Sequence, residues 1–242
     1  MLEKHTIYDN VTAGAKKSAG HRVSDIREAV RDKNRVNVYI DDKFFCSLDI
    51  AQVVDLHVKI GRELNNEELE ELKRASDFSK FYNRALEFTL MRPHSSKEVR
   101  DYLKRKTLDR KVRVKNQKTG EYKTVLKQGY DQSLVEPVYK RLEERGYIND
   151  RRFAETWVEN RNITKGSSFK KLRLELAQKG ISQSVIEEVL AETDRDDVAE
   201  LRKIIARKAK KYPDEQKLIQ YLMRQGFNYS DILDELSAGS SL

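Results

Sequence analysis

The stretch GYDQSLVEPVYKRLEERGYINDRRFAETWVENRNITKGSSFKKLRLELAQKG, residues 129–180, holds one complete copy, and the edge of another, of a pattern that recurs to the C-terminus. Each copy turns on a glycine. The order Leu172, Leu176, Gly180, Ile181, Ser184, Ile186, Leu190 returns with identical spacing as Leu218, Leu222, Gly226, Phe227, Ser230, Ile232, Leu236. Such self-similarity is the signature of a repeat architecture and takes precedence over any single motif. Aligning Gly129 with the other two glycines reveals a first copy, in which Tyr130, Ser133, Val135 and Tyr139 replace Ile181, Ser184, Ile186 and Leu190. Its upstream half is displaced. Val99 and Leu103 match Leu172 and Leu176, but the glycine due at 107 arrives at 129, so 22 residues are inserted at a helix end.

Leu172 and Leu176 share one helical face, and Gly180 suits the left-handed residue that ends a helix and folds Ile181 back onto Leu176. Leu222, Gly226 and Phe227 repeat the arrangement, as do Leu142, Gly146 and Tyr147. Ser133 and Ser184 precede Glu136 and Glu187 by three residues, the capping-box spacing, which predicts a helix start at each serine. Charged residues are 36% of the chain against roughly 25% in an average globular protein. That surplus suits exposed helices joined by narrow apolar seams. The expected fold is mainly α, with tandem three-helix repeats forming an elongated, curved molecule.

Four regions are expected: 1–75, 76–148 with an inserted hairpin at 107–128, 149–195 and 196–242. Residues 1–20 are polar and read as a disordered lead-in. Val36, Val38 and Ile40, then Phe44, Cys46 and Leu48, alternate as a β-hairpin. A three-residue loop over 41–43 would set Ile40 opposite Phe44 and Val38 opposite Cys46. A helix through Val53, Val54 and Val58 is expected to end at Gly61, and Asn65 or Asn66 to cap a second, acidic helix over 67–73. Phe78, Phe81, Tyr82, Ala85 and Thr89 open the first three-helix unit, whose second helix starts at Ser95. Phe153, Ala154, Trp157 and Val158 form the seam of the second unit, with Trp157 expected in a core between units. Asp214 is placed to cap the middle helix of the third.

The chain offers little reactive chemistry. Its histidines, at 5, 21, 57 and 94, have no metal-ligand spacing with Cys46, the one cysteine. The loop at 164–168 lacks the second glycine and terminal Gly-Lys-Ser/Thr of a phosphate loop and reads as a helix cap. No catalytic residue, metal or cofactor is expected. With no long apolar run and no signal-peptide core in the first ten residues, the expected location is cytoplasmic.

A basic surplus points instead to contact. From 104 to 127 there are ten basic and two acidic residues, an excess of eight that equals the formal charge of the whole chain. The insert reads as a β-hairpin in which Val112, Val114 and Val125 pack on one face while Lys111, Arg113, Lys115 and Lys123 meet phosphates or an acidic protein surface. A merely soluble insertion is the competing reading. Arg105 and Lys106 at the preceding helix end join the candidates, with Arg151, Arg152, Arg161, Lys165, Lys170, Lys171 and Arg173 at helix starts and unit junctions. For these the alternative is a solvated helix face. Arg161 also suits pairing with a carboxylate at the core edge.

The run Gly146-Tyr147-Ile148-Asn149-Asp150-Arg151-Arg152-Phe153-Ala154, followed by Trp157-Val158 and Arg161, resembles the core signature of the RecX family of bacterial recombination regulators. Lys170-Lys171-Leu172-Arg173 and Gln178-Lys179-Gly180-Ile181 continue the resemblance, which spans about 78–236. Asn149, where a small acidic or polar residue is usual, and the insert after Lys106 depart from the pattern. What the resemblance implies is a curved helical monomer lying in the groove of the RecA filament on single-stranded DNA. It would suppress ATP hydrolysis and strand exchange and also touch single-stranded and double-stranded DNA. A general DNA- or RNA-binding repeat protein acting without recombinase is the alternative.

Overall fold

Residues 36–48 alternate apolar and polar side chains, and each half becomes a strand of one antiparallel sheet. The computed structural model describes residues 20–30, 32–116, 119–164 and 166–239, with backbone alone at 161–164 and 239. The expected lead-in lies, apart from Gly20, outside these residues. The chain divides into two units, Met1–Lys80 and Phe81–Leu242.

In the first unit, strands β1 (His21–Ala29), β2 (Asp32–Ile40), β3 (Lys43–Asp49) and β4 (Glu63–Leu64) form a sheet in the order β3-β2-β1-β4. Val23, Val38, Ile40, Cys46 and Leu48 from the sheet are buried with Val58, Leu64 and Leu72. The sequence reading missed β1 because its charged residues blur the alternation. The β2–β3 connection is also corrected. Asp41 and Asp42 both have left-handed backbone, with φ of 49° and 63°, and make a two-residue turn that sets Ile40 opposite Lys43. Tyr39, not Ile40, then faces Phe44, and a register shift restores Val38 opposite Cys46. Such a turn matches strand twist, and aspartate tolerates that backbone better than most residues.

Helix α1 (Ile50–Asp55) is shorter than expected. His57, at φ 52°, turns the chain, so Val58 reaches the core from a loop. Helix α2 runs unbroken over Asn66–Met91, where two helices were expected, since residues 73–78 hold no glycine, proline or effective cap. Asn65 caps it, accepting from the Glu68 amide at 2.9 Å while the Glu68 carboxylate accepts from the Asn65 amide at 2.8 Å.

In the second unit the end of α2 is followed by α3 (Ser96–Lys106), a hairpin of β5 (Arg110–Lys115) and β6 (Tyr122–Lys127), and α4 (Val135–Glu144). Then come α5 (Asp150–Thr164), α6 (Phe169–Gln178) and α7 (Gln183–Ala191), and finally α8 (Asp197–Lys208), α9 (Glu215–Arg224) and α10 (Tyr229–Gly239). The fold is mainly α with tandem three-helix groups. Phe153, Ala154, Leu172, Leu176, Ile186 and Leu190 make one core; Leu201, Ile204, Leu218, Leu222 and Ile232 make the corresponding one in the last group. Trp157 packs against the core of its own group and donates its indole N–H to Glu175 at 3.0 Å.

The glycines end helices as the spacing predicts. Gly146, Gly180 and Gly226 have φ of 73°, 83° and 91°, and the amides of Tyr147, Ile181 and Phe227 donate back to the carbonyls of Leu142, Leu176 and Leu222. Gly129 is glycine for another reason. A side chain there would strike the Thr107 backbone, because the two ends of the insert meet at that point. The expected caps at Ser133 and Ser184 are corrected: Asp131 caps a 3-10 turn, Gln132–Leu134, that leads into α4 without a side-chain cap of its own, and Ser182 caps α7. Glu136 and Glu187, which would have completed those boxes, instead pair with Arg100 and Arg173.

Candidate nucleic-acid interface

The hairpin is held in register by six cross-strand pairs, from Arg110 opposite Lys127 to Lys115 opposite Tyr122. Val112 and Val125 are its half-buried pair. The sequence reading placed Lys123 with Lys111, Arg113 and Lys115; the register instead sets it opposite Val114, on the valine face. Lys123 and Val125 are two apart on one strand and so share a face. The other face carries Lys111, Arg113 and Lys115 with Tyr122, Thr124 and Leu126. There the Arg113 guanidinium lies 5.1 Å from the centre of the Tyr122 ring. Three cations and one aromatic ring thus share a face of an exposed two-stranded ribbon, a combination suited to phosphates and an unstacked base.

At the root of the hairpin the chain forms a concavity of about 280 Å³ lined by Arg84, Tyr102, Arg105, Lys106, Leu108, Arg110, Lys127, Gln128 and Tyr130. Five of these are cationic and none is acidic. Among the described residues, no salt bridge joins any of the five to a carboxylate, although ion pairs are frequent elsewhere on the chain. Burial first, and then the charges of Arg84, Arg110, Arg105 and Lys127, hold the Lys106 ammonium below the ordinary lysine value. Arg84, on a helix twenty residues upstream, and the two tyrosines were not among the sequence candidates; helical spacing alone cannot tell which distant turn will meet an inserted hairpin.

The remaining candidates are scattered. Arg151 bonds Glu155 and Glu188 at 3.0 Å and also Glu192, tying α5 to α7. Arg173 holds Glu187 through two nitrogens. Arg152 is exposed beside Asn149 and Tyr147, and Lys170 is exposed on the first turn of α6. The Arg161 side chain and Lys165 lie outside the described residues.

Lys171 belongs to a junction that occurs twice. Where α3 begins, the Ser95 hydroxyl accepts from the Glu98 amide at 3.1 Å and donates to the Lys179 carbonyl at the end of α6, at 2.8 Å. The first amide of α3, that of Ser96, donates to Asp150, the first residue of α5. Where α6 begins, Ser168 accepts from the Lys171 amide and donates to the Gln225 carbonyl at the end of α9, while the Phe169 amide donates to Asp197, the first residue of α8. Gly180 and Gly226 permit these approaches, since a β-carbon would press on Lys97 in one case and on Ser168 in the other.

Among the described residues no group of His, Cys, Asp and Glu could hold a metal ion, and no helix is long and apolar enough to cross a membrane. Burial pushes the Cys46 thiol up to about 11, which keeps it protonated and unreactive.

Two family models match the chain: "RecX, second three-helix domain" over residues 149–190 and "Regulatory protein RecX N-terminal domain" over residues 21–65. The curated protein named Regulatory protein RecX of Bacillus subtilis is 28% identical over 217 residues, covering 87% of this chain and 74% of its own length. The protein of the same name from Clostridium tetani is 28% identical over 226 residues, covering 90% of this chain and 94% of its own. A crystal structure titled as regulatory protein RecX matches the fold with a TM-score of 0.66 at 22% identity, over 88% of this chain and 99% of that one.

Proposed function

The chain belongs to the RecX family of regulatory proteins, and from that premise we propose that it binds the RecA filament on single-stranded DNA, lies in the filament's helical groove and inhibits ATP hydrolysis and strand exchange. In this reading it modulates recombination, DNA repair and the SOS response from the cytoplasm, as a monomer that acts by contact and carries out no catalysis. The observation that carries the contact surface is the basic surplus at 104–127, presented on an exposed ribbon and its root. Polyanion binding by such a surface is driven largely by counterion release and is sequence-independent. The helical groups, with Arg152 and Lys170 exposed, supply the surface toward recombinase.

Substoichiometric protein added to RecA, single-stranded DNA and ATP tests the proposal. Inhibition of ATP hydrolysis that persists when DNA is in large excess supports a filament regulator. Loss of the effect in proportion to added DNA would support a general nucleic-acid-binding module, the reading that the basic ribbon alone favours.

A further inference from the structure

We propose that the concavity at the hairpin root is a site for a terminal phosphate, either a phosphate monoester at a strand end or the phosphate group of a free nucleotide, and that it is distinct from the exposed ribbon that meets internal backbone phosphates. The inference rests on the reading of the hairpin as the polyanion contact.

The first argument is charge. A phosphodiester in a strand carries one negative charge, whereas a phosphate monoester carries about −1.5 to −2 at neutral pH on three terminal oxygens. Arg84, Arg105, Lys106, Arg110 and Lys127 converge on one space with no carboxylate in its lining. Lys106 is half-buried there and the other four are exposed around it, and like charges gathered about one space are best relieved by a compact anion of multiple charge.

The second argument is shape. The Lys111, Arg113 and Lys115 face is open, so a strand can run past it; the root is a recess, and a recess of about 280 Å³ favours an end over a middle. Its walls are set before any ligand arrives. The Tyr102 ring stacks on Phe88 with centroids 4.0 Å apart, and its hydroxyl donates to the Arg84 carbonyl at 3.1 Å. Tyr130 stacks on Phe81 at 4.4 Å, and its amide donates to the Lys106 carbonyl at 3.0 Å. The Lys106 ammonium lies 5.0 Å from the centre of the Tyr102 ring. A side chain on Gly129 would collide with the Thr107 backbone, so the close approach of the two chain ends that carry Leu108, Gln128 and Tyr130 depends on that glycine. Such pre-ordering lowers the entropy cost of binding.

The test compares two single-stranded oligonucleotides of one sequence, labelled at the 3′ end and differing only in a 5′-phosphate or 5′-hydroxyl, with ADP as a separate probe. The expected result is about tenfold tighter binding of the phosphorylated strand, the scale of one or two charge-assisted hydrogen bonds. Lys106→Gln should abolish the preference, and Arg84→Gln, on a different helix, should do the same if Lys106→Gln perturbs folding. Lys111→Gln with Arg113→Gln and Lys115→Gln should weaken both strands and leave the preference intact. Equal affinity for the two strands, with direct ADP binding that is lost in Lys106→Gln, also upholds the site and assigns it to a free nucleotide. Equal affinity with no Lys106-dependent ADP binding overturns it and leaves internal-backbone binding by the ribbon untouched. If neither strand binds, the reading of the hairpin fails, while direct ADP binding still reports on the recess.

Discussion

Lys170 and Lys171 are adjacent, yet only one of them is free to meet a partner. Lys170 is exposed, whereas the Lys171 ammonium donates to the Arg224 carbonyl at 3.3 Å and to the Gln225 side chain at 2.8 Å, and its stem lies beside Gly226. Lys171→Glu should therefore lower stability by roughly 1–3 kcal/mol, while Lys170→Glu should stay within about 0.5 kcal/mol of the parent in urea denaturation. Any loss of filament binding in Lys170→Glu then reports on the surface and not on the fold. Gly180→Val combines a φ of 83° with a contact on Lys97, so it should cost more than the ~1 kcal/mol of an ordinary helix-end change. Acid adds a further residue-scale expectation. Burial pushes the Glu98 carboxyl up, yet hydrogen bonds from Lys179 at 2.8 Å and Arg92 at 3.0 Å outweigh it and hold its pKa below the ordinary glutamate value. A carboxylate with a lowered folded pKa stabilises above its unfolded value, about 4.3, and that stability is lost as pH falls through the folded value. Glu98→Gln should accordingly be less stable than the parent at pH 7, with the gap closing below about pH 4; urea midpoints across that range check it.

At the scale of elements, helix ends defined by glycine were legible because a left-handed residue after an apolar pair is a local requirement, written within ten residues, as from Leu172 to Ile181. Caps were less so. Ser133 and Ser184 had the right spacing, but their glutamates are engaged by Arg100 and Arg173 from other helices, and a local pattern carries no record of such partners. The break expected between 73 and 78 did not occur because nothing there stops a helix, and β1 escaped notice because a charged, twisted strand lacks clean alternation. The basic hairpin was legible as an element, since turn and period agree. Its root was not, because Arg84 reaches it only through tertiary packing. Replacing residues 107–128 by a short Gly-Ser link should leave the helices folded, as judged by circular dichroism, because the ends of the insert already meet at Thr107 and Gly129. DNA affinity should fall sharply and its dependence on salt should flatten, by about one unit of slope for each phosphate that the protein no longer neutralises. Filament inhibition should fall less than naked-DNA binding if the helical groups make the main recombinase contacts.

For the molecule as a whole, the charge is unevenly invested: the surplus over 104–127 equals that of the full chain, so the rest sums to neutral and its charged side chains are available for internal ion pairs. In the helical part, two like junctions join the three groups through the same set of hydrogen bonds. In Asp197→Ala the Phe169 amide is left without its acceptor, whereas Asp197→Asn keeps an oxygen there; burial pushes the Asp197 carboxyl up, so the neutral amide should be tolerated far better than alanine. Because stacked repeats unfold together only while their interfaces hold, Asp197→Ala should lower the denaturant m-value as well as the midpoint. The junction has one more consequence, for how such a chain can lengthen. Each joint pairs an outgoing helix end marked by glycine with an incoming start marked by serine and answered by an aspartate from the next group, and both joints use the same parts. A duplicated middle segment would arrive carrying both halves of the fitting, so copying alone could extend the series without any new interface having to be invented.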